Sequence, residues 1–146
     1  MYGPSTDEPL IAQTVLISGT QVSVGARKIL HTAWRMNTHT VVALTETSAI
    51  VIASGSLTSS TNKGTRVYSL YIAGDAVSLE KQQSFSQTDT LSNFQLQFLT
   101  QNQLVFGYST ASKSFLELIK ILPTANSHYI SHSISSFSFD KLVSLS

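Results

Sequence analysis

Short apolar bursts separated by polar pairs and triplets constrain this chain more than any other feature. The stretch ILHTAWRMNTHTVVALTETSAIVIAS, residues 29–54, holds three such bursts in a row. Runs this short, rich in β-branched and aromatic residues, suit strands, because a helix needs ten or more residues of 3.6-fold periodicity. NFQLQFLT shows the strand period cleanly, with Phe94, Leu96 and Phe98 facing one way and Gln95 and Gln97 the other. SHYISHSIS likewise sets Ile130 and Ile134 against Ser131 and Ser133.

Five runs are apolar on both faces: TVVAL at 40–44, AIVIA at 49–53, RVYSLYI at 66–72, LVFGY at 104–108 and SFLELIKIL at 114–122. Such strands are expected to be covered on both sides, which predicts stacked sheets or one tightly closed sheet. SKSFLELIKIL also fits a helical stripe, but its Phe and Ile content and the stop at Pro123 favour a strand. Hairpin connections are expected at Gly19–Thr20, Asn37–Thr38, Thr45 to Ser48, Gly74–Asp75, Gln101–Asn102 and Ala111–Ser112. Residues 1–9 read as a flexible N-terminus. SGSLTSSTNKGT, residues 54–65, reads as a mobile loop, since it lacks the paired glycines and Lys-Ser/Thr of a phosphate cradle.

Composition agrees with an all-β domain. Ser and Thr supply 24 and 16 of the 146 residues, whereas charged residues make up only 12%. Hydroxyl residues suit strand faces and turns; a helical bundle would want Glu, Lys and Ala. The nine Lys and Arg against eight Asp and Glu are scattered, so the basic stripe of a nucleic-acid binder is missing. There is no cysteine, hence no disulfide or thiolate metal site. MYGPSTDEPL lacks the basic and apolar regions of a secretory signal, and no uncharged apolar run approaches the ~20 residues of a membrane span. An intracellular protein, cytoplasmic or nuclear and without membrane insertion, is expected.

A repeat lies beneath the strands. With Trp34, Phe98 and Phe137 aligned as the ends of three similar strands, each is followed by a tight polar turn and a new burst at Val41, Leu104 and Leu142. A third burst follows twice, at Ala49 and Phe115. AWRMNTHTVVALTETSAIVIAS and SISSFSFDKLVSLS resemble the opening strands of blades in a WD-repeat-like β-propeller, over residues 29–146, although the Gly-His and Trp-Asp pairs are absent. The resemblance implies four-stranded antiparallel blades and a non-catalytic docking surface. At about 40–45 residues per blade the chain holds roughly three, fewer than a closed ring needs. A partial propeller, forming one all-β domain over 1–146 or the N-terminal piece of a larger one, is therefore expected. A closed barrel or a sandwich is the alternative.

Reactive constellations are sparse. His128 and His132 would converge on a metal from a helix, but on a strand they stand about 13 Å apart. His31 and His39 flank Trp34 and read as satisfied or exposed histidines. No Gly-X-Ser-X-Gly elbow occurs, and most carboxylates fall in turns; Glu117, mid-strand, reads as an edge or solvent-face residue. Tyr68 and Tyr71 lie on opposite faces, so at most one is buried. No enzyme, cofactor or metal is expected.

The expected role is a non-catalytic protein–protein interaction scaffold contributing a β-propeller-like domain to a larger assembly. A barrel carrying a small apolar ligand, or a jelly-roll coat subunit, are the alternatives. Trp34 and Arg35 are candidate partner contacts, because Trp and Arg dominate interface hot spots. As the anchor of the repeat, Trp34 reads more simply as a core residue. Lys141, Leu142 and Val143 are further candidates, because KLVSLS would leave the unpaired edge of an unfinished blade. A protein partner, or self-association, is expected to complete the β-structure.

Overall fold

A computed structural model describes residues 9–32, 35–56, 63–86, 91–111, 113–123, 128–131 and 136–140. Thirteen strands and no helix occur among them. In chain order they are β1 Leu10–Ala12, β2 Val15–Ser18, β3 Gln21–Val24, β4 Lys28–His31, β5 Arg35–Thr45, β6 Ser48–Ser56 and β7 Lys63–Ala73. There follow β8 Ala76–Ser86, β9 Ser92–Thr100, β10 Gln103–Ser109, β11 Lys113–Pro123, β12 His128–Ser131 and β13 Ser136–Asp140. All pairing is antiparallel.

Two blade-like meanders form the body. The first runs β5-β6-β7-β8; the second runs β9-β10-β11, with β12 and β13 both on the far edge of β11. Two ribbons, β1-β4 and β2-β3, precede them, and none of these sheets closes into a barrel. The turns follow from their glycines. Gly19 and Gly74 each take the first central position of a two-residue connection with φ of 60°, which a type II′ hairpin turn requires.

Period-two alternation decides what packs where. Ile50 and Ile52 of β6 and Val67 of β7 meet Leu104, Phe106, Ile119 and Ile121 of the second sheet. The opposite face of the first sheet, with Val51, Ala53, Tyr68 and Leu70, is capped by Leu10 and Leu30 from β1 and β4. AIVIA is thus buried on both faces, as its sequence predicts. An aromatic cluster fills the seam between the meanders. Phe85 meets Phe106 edge-on at 5.3 Å, Phe94 does so at 5.0 Å, and Tyr108 stacks on Phe115 at 5.1 Å.

Several sequence expectations change. Asn37–Thr38 is no turn: β5 pairs with β6 from Arg35↔Ser56 to Thr45↔Ser48, and the extra residue is taken up by a bulge between Met36 and Thr38. β4 therefore pairs with β1 and is not the first strand of the first meander. Phe137 does not open a third blade, because it pairs with Leu116 on the edge of the second sheet. TVVAL is not covered on both faces, since Val41 and Ala43 are exposed.

The expected 54–65 loop is narrower than its composition suggests. Ser54–Ser56 continue β6 and Lys63–Thr65 begin β7, whereas 57–62 lie outside the described residues. The buried Ser54 hydroxyl explains the order. It donates to the Gly64 carbonyl at 3.3 Å and accepts from Thr65 Oγ1 at 3.0 Å and from the Leu91 amide at 2.9 Å. Residues 1–8 lie outside the described residues.

Candidate interaction surface

The β2–β3 hairpin is the least buried part of the described chain. Its register pairs Val15 with Val24 and Ile17 with Val22, and directly opposed residues share a face. That face is therefore all β-branched and apolar. The four side chains stay 59%, 61%, 74% and 63% exposed respectively, so no other described element covers them. Two-stranded ribbons have little stability of their own in water, and apolar patches left open mark interaction sites.

What holds the ribbon is its base. The Gly25 amide donates to the Thr14 carbonyl at 3.0 Å, and Gln13 Nε2 donates to the Gly25 carbonyl at 2.7 Å. Thr14 Oγ1 in turn donates to the Asp75 carbonyl at 2.6 Å, clasping the hairpin to the β7–β8 turn. Gly25 is obligatory there, because a Cβ would overlap the Asp75 carbonyl oxygen and Thr14 Oγ1.

Beside the hairpin lies an apolar groove of about 740 Å³. Its wall is the continuous segment Leu10 to Leu16; its floor is the alternate residues of the first sheet, among them Val41, Val51, Leu70 and Ile72. The groove exists because β1 and β4 are too short to roof the sheet. β4 lies against β8, and the β5 side, with Val41 62% exposed, is left open.

Titratable groups near the roof are shaped by burial. His31 is held below the ordinary imidazole range, first by burial and then by the positive charge of Arg66. Tyr68 is fully buried, its hydroxyl without a hydrogen-bond partner among the described residues, and burial pushes it up to about 12 against an opposing pull from Arg66. Tyr71, on the other face, is exposed, as the alternation predicts. Glu117 departs from its expected edge or solvent-face position. It sits on β11 between two partner strands, paired with Phe106 and Ser136, and accepts a 2.7 Å hydrogen bond from the Tyr108 hydroxyl. Among the described residues no group of three or more His, Cys, Asp or Glu lies close enough to hold a metal ion. No described helix is long and apolar enough to cross a membrane.

Of the sequence-derived contacts, Arg35 alone falls among the described residues. Trp34, Lys141, Leu142 and Val143 lie outside the described residues, as does His132 of the His128 pair. Arg35 opens β5 opposite Ser56. Sequence reasoning placed the Gly19–Thr20 turn but missed the open face around it. The signal was the alternation of Val22 and Val24 with Gln21 and Ser23, which identifies a strand with one apolar face but not whether anything covers it.

Stacked antiparallel meanders, flanked by one open apolar ribbon and one open apolar groove, define a layered all-β protein. Comparisons with protein-family models, with curated proteins and with solved structures found no match.

Proposed function

We propose that this chain is a non-catalytic protein–protein interaction scaffold that docks through the β2–β3 hairpin and the adjoining groove. The single observation that supports the reading is the uncovered face of Val15, Ile17, Val22 and Val24 beside an apolar floor left open at Val41. Interface centres are depleted in charge, and this surface has almost none. A propeller-like arrangement within a larger assembly belongs to the same reading. Two successive meanders stack face on face, with their first strands, β5 and β9, side by side.

The test is a photo-crosslinking residue in place of Ile17 in the protein within its own cells. The expected outcome is covalent adducts of defined mass at position 17 and none from the exposed control position Gln101. Equal labelling at both positions, or no protein adduct at 17, refutes docking.

The groove volume also favours a second reading, since small-ligand sites span ~300–1,000 Å³. Stoichiometric uptake of a fluorescent fatty acid by the purified chain, lost in a variant with the exposed groove residue changed, Val41→Lys, would establish an apolar-ligand carrier instead.

A further inference from the structure

An exposed apolar hairpin and an open apolar groove lie side by side on the same chain. Every residue from Pro9 to Ala26 is uncharged. Ribbons that must avoid association place Lys, Pro or inward charges on their edges, and this one carries none of them. Among the described residues β2 and β3 pair only with each other, so no described strand covers either outer edge. The groove has the converse deficit. Among the described residues β1 pairs only with β4, and beside it the floor at Val41 is exposed. What is missing above β5 is a short apolar ribbon that can run beside β1, which is the description of β2–β3.

We propose that the chain pairs with a second copy of itself by reciprocal exchange, the hairpin of each copy lying in the groove of the other. Val15 and Leu16 stand on the rim of the chain's own groove, so donor and acceptor are adjacent. One two-fold rotation then satisfies both contacts together and closes the assembly, whereas a one-way contact would propagate into a filament. Area points the same way. The four hairpin side chains offer on the order of 400 Å² per copy, about half of the roughly 800 Å² per partner in a standard interface. Hairpins meeting face to face would stop at that half; exchange adds the groove lining to it. Neither surface offers a charge pattern that would select a different, charged partner.

This inference rests on the docking reading above and names its partner. The absence of cysteine from the chain makes a clean test possible. Ile17→Cys and Val41→Cys each replace an exposed side chain, so the core is untouched. Copies of the full chain carrying one change are mixed with copies carrying the other under mild oxidation, after circular dichroism has shown the strand signal of the unaltered chain. The expected product has twice the 15.8 kDa chain mass and contains one copy of each variant. Neither variant alone should give it. Linkage from Ile17→Cys alone means face-to-face hairpins and overturns the exchange, as does the absence of any mixed product.

Sedimentation of the unaltered chain provides a readout without substitution. Self-association is expected, weakened at least ~30-fold by Ile17→Lys through loss of one buried Ile per contact. A monomer at all concentrations overturns self-pairing; adducts at position 17 with a different protein would then leave the docking reading standing.

Discussion

Replacing Ser54 with Ala removes one oxygen from the junction of the two meanders and opens almost no space. Its effect must therefore come from hydrogen bonding. In the folded chain the hydroxyl uses all its capacity, donating to Gly64 and accepting from Thr65 Oγ1 and the Leu91 amide, and Ser54, Thr65 and Leu91 are all buried. A buried donor stripped of its acceptor costs about 1–3 kcal/mol. The Leu91 N–H is fixed by the backbone and bears that cost in full. The Thr65 hydroxyl can rotate and bears less, so the total is about 2–3 kcal/mol. For a domain of this size that lowers Tm by roughly 5–10 °C. Differential scanning calorimetry and urea titration read it directly. Because Thr65 and Leu91 share one acceptor, the double variant Ser54→Ala/Thr65→Val should cost less than the sum of the single changes by at least ~0.5 kcal/mol. A loss below ~0.5 kcal/mol for Ser54→Ala, or strict additivity in the double variant, would refute the argument that this hydroxyl pins the second meander to β6.

Three further outcomes are expected. Gly25→Ala should free the hairpin base by ~1–3 kcal/mol, since the new methyl meets the Asp75 carbonyl and Thr14 Oγ1; hydrogen exchange at the Gly25 amide should accelerate while core strands of the second sheet stay protected. Tyr68→Phe should leave stability unchanged or raise it by up to ~1 kcal/mol, because the hydroxyl it deletes is buried without a partner; a loss above ~1 kcal/mol in urea titration would contradict this. His31 has a folded-state pKa below the unfolded 6.5, so the unfolded chain binds more protons. Its contribution is fully present above pH 6.5 and is lost as pH falls below it towards the folded value. His31→Gln should accordingly flatten the fall in Tm between neutral and mildly acidic pH, and an unchanged slope would count against the burial of this imidazole.

The all-β class was legible because strand periodicity is a local property. Ile50 and Ile52 alternate with Ala49, Val51 and Ala53 in the sequence and divide between two cores in the fold. What local pattern cannot carry is the identity of the covering layer. Val41 and Val51 are equivalent as sequence and paired as neighbours, yet one lies under the β1–β4 roof and the other beyond its edge. Likewise Val22 and Val24 read as half of a core, and the other half is not among the described elements. The 54–65 segment misled for a related reason. Serine and threonine favour loops because their hydroxyls capture backbone groups, and the same capacity, turned inward at Ser54 and Thr65, holds strand ends in place. Gly and Asn punctuation placed most hairpins, but at Asn37 a strand partner outweighed turn preference and made a bulge. Glu117 was misjudged because strand order, and so which strand is central, is not written in any one strand.

The Thr14–Asp75 clasp joins residues 61 apart in the chain, and this separation has a cost in time during synthesis. At about 5–20 residues per second, the ribosome completes the hairpin roughly 2.5–10 s before the turn that anchors it has been made. For that interval an uncharged ribbon with an exposed β-branched face lacks the Asp75 anchor, at the concentration of a crowded polysome. Neighbouring nascent chains carry the same ribbon. Yield of folded protein should therefore depend on translation speed between codons 25 and 75 and on holdase supply, more steeply than equilibrium stability would suggest.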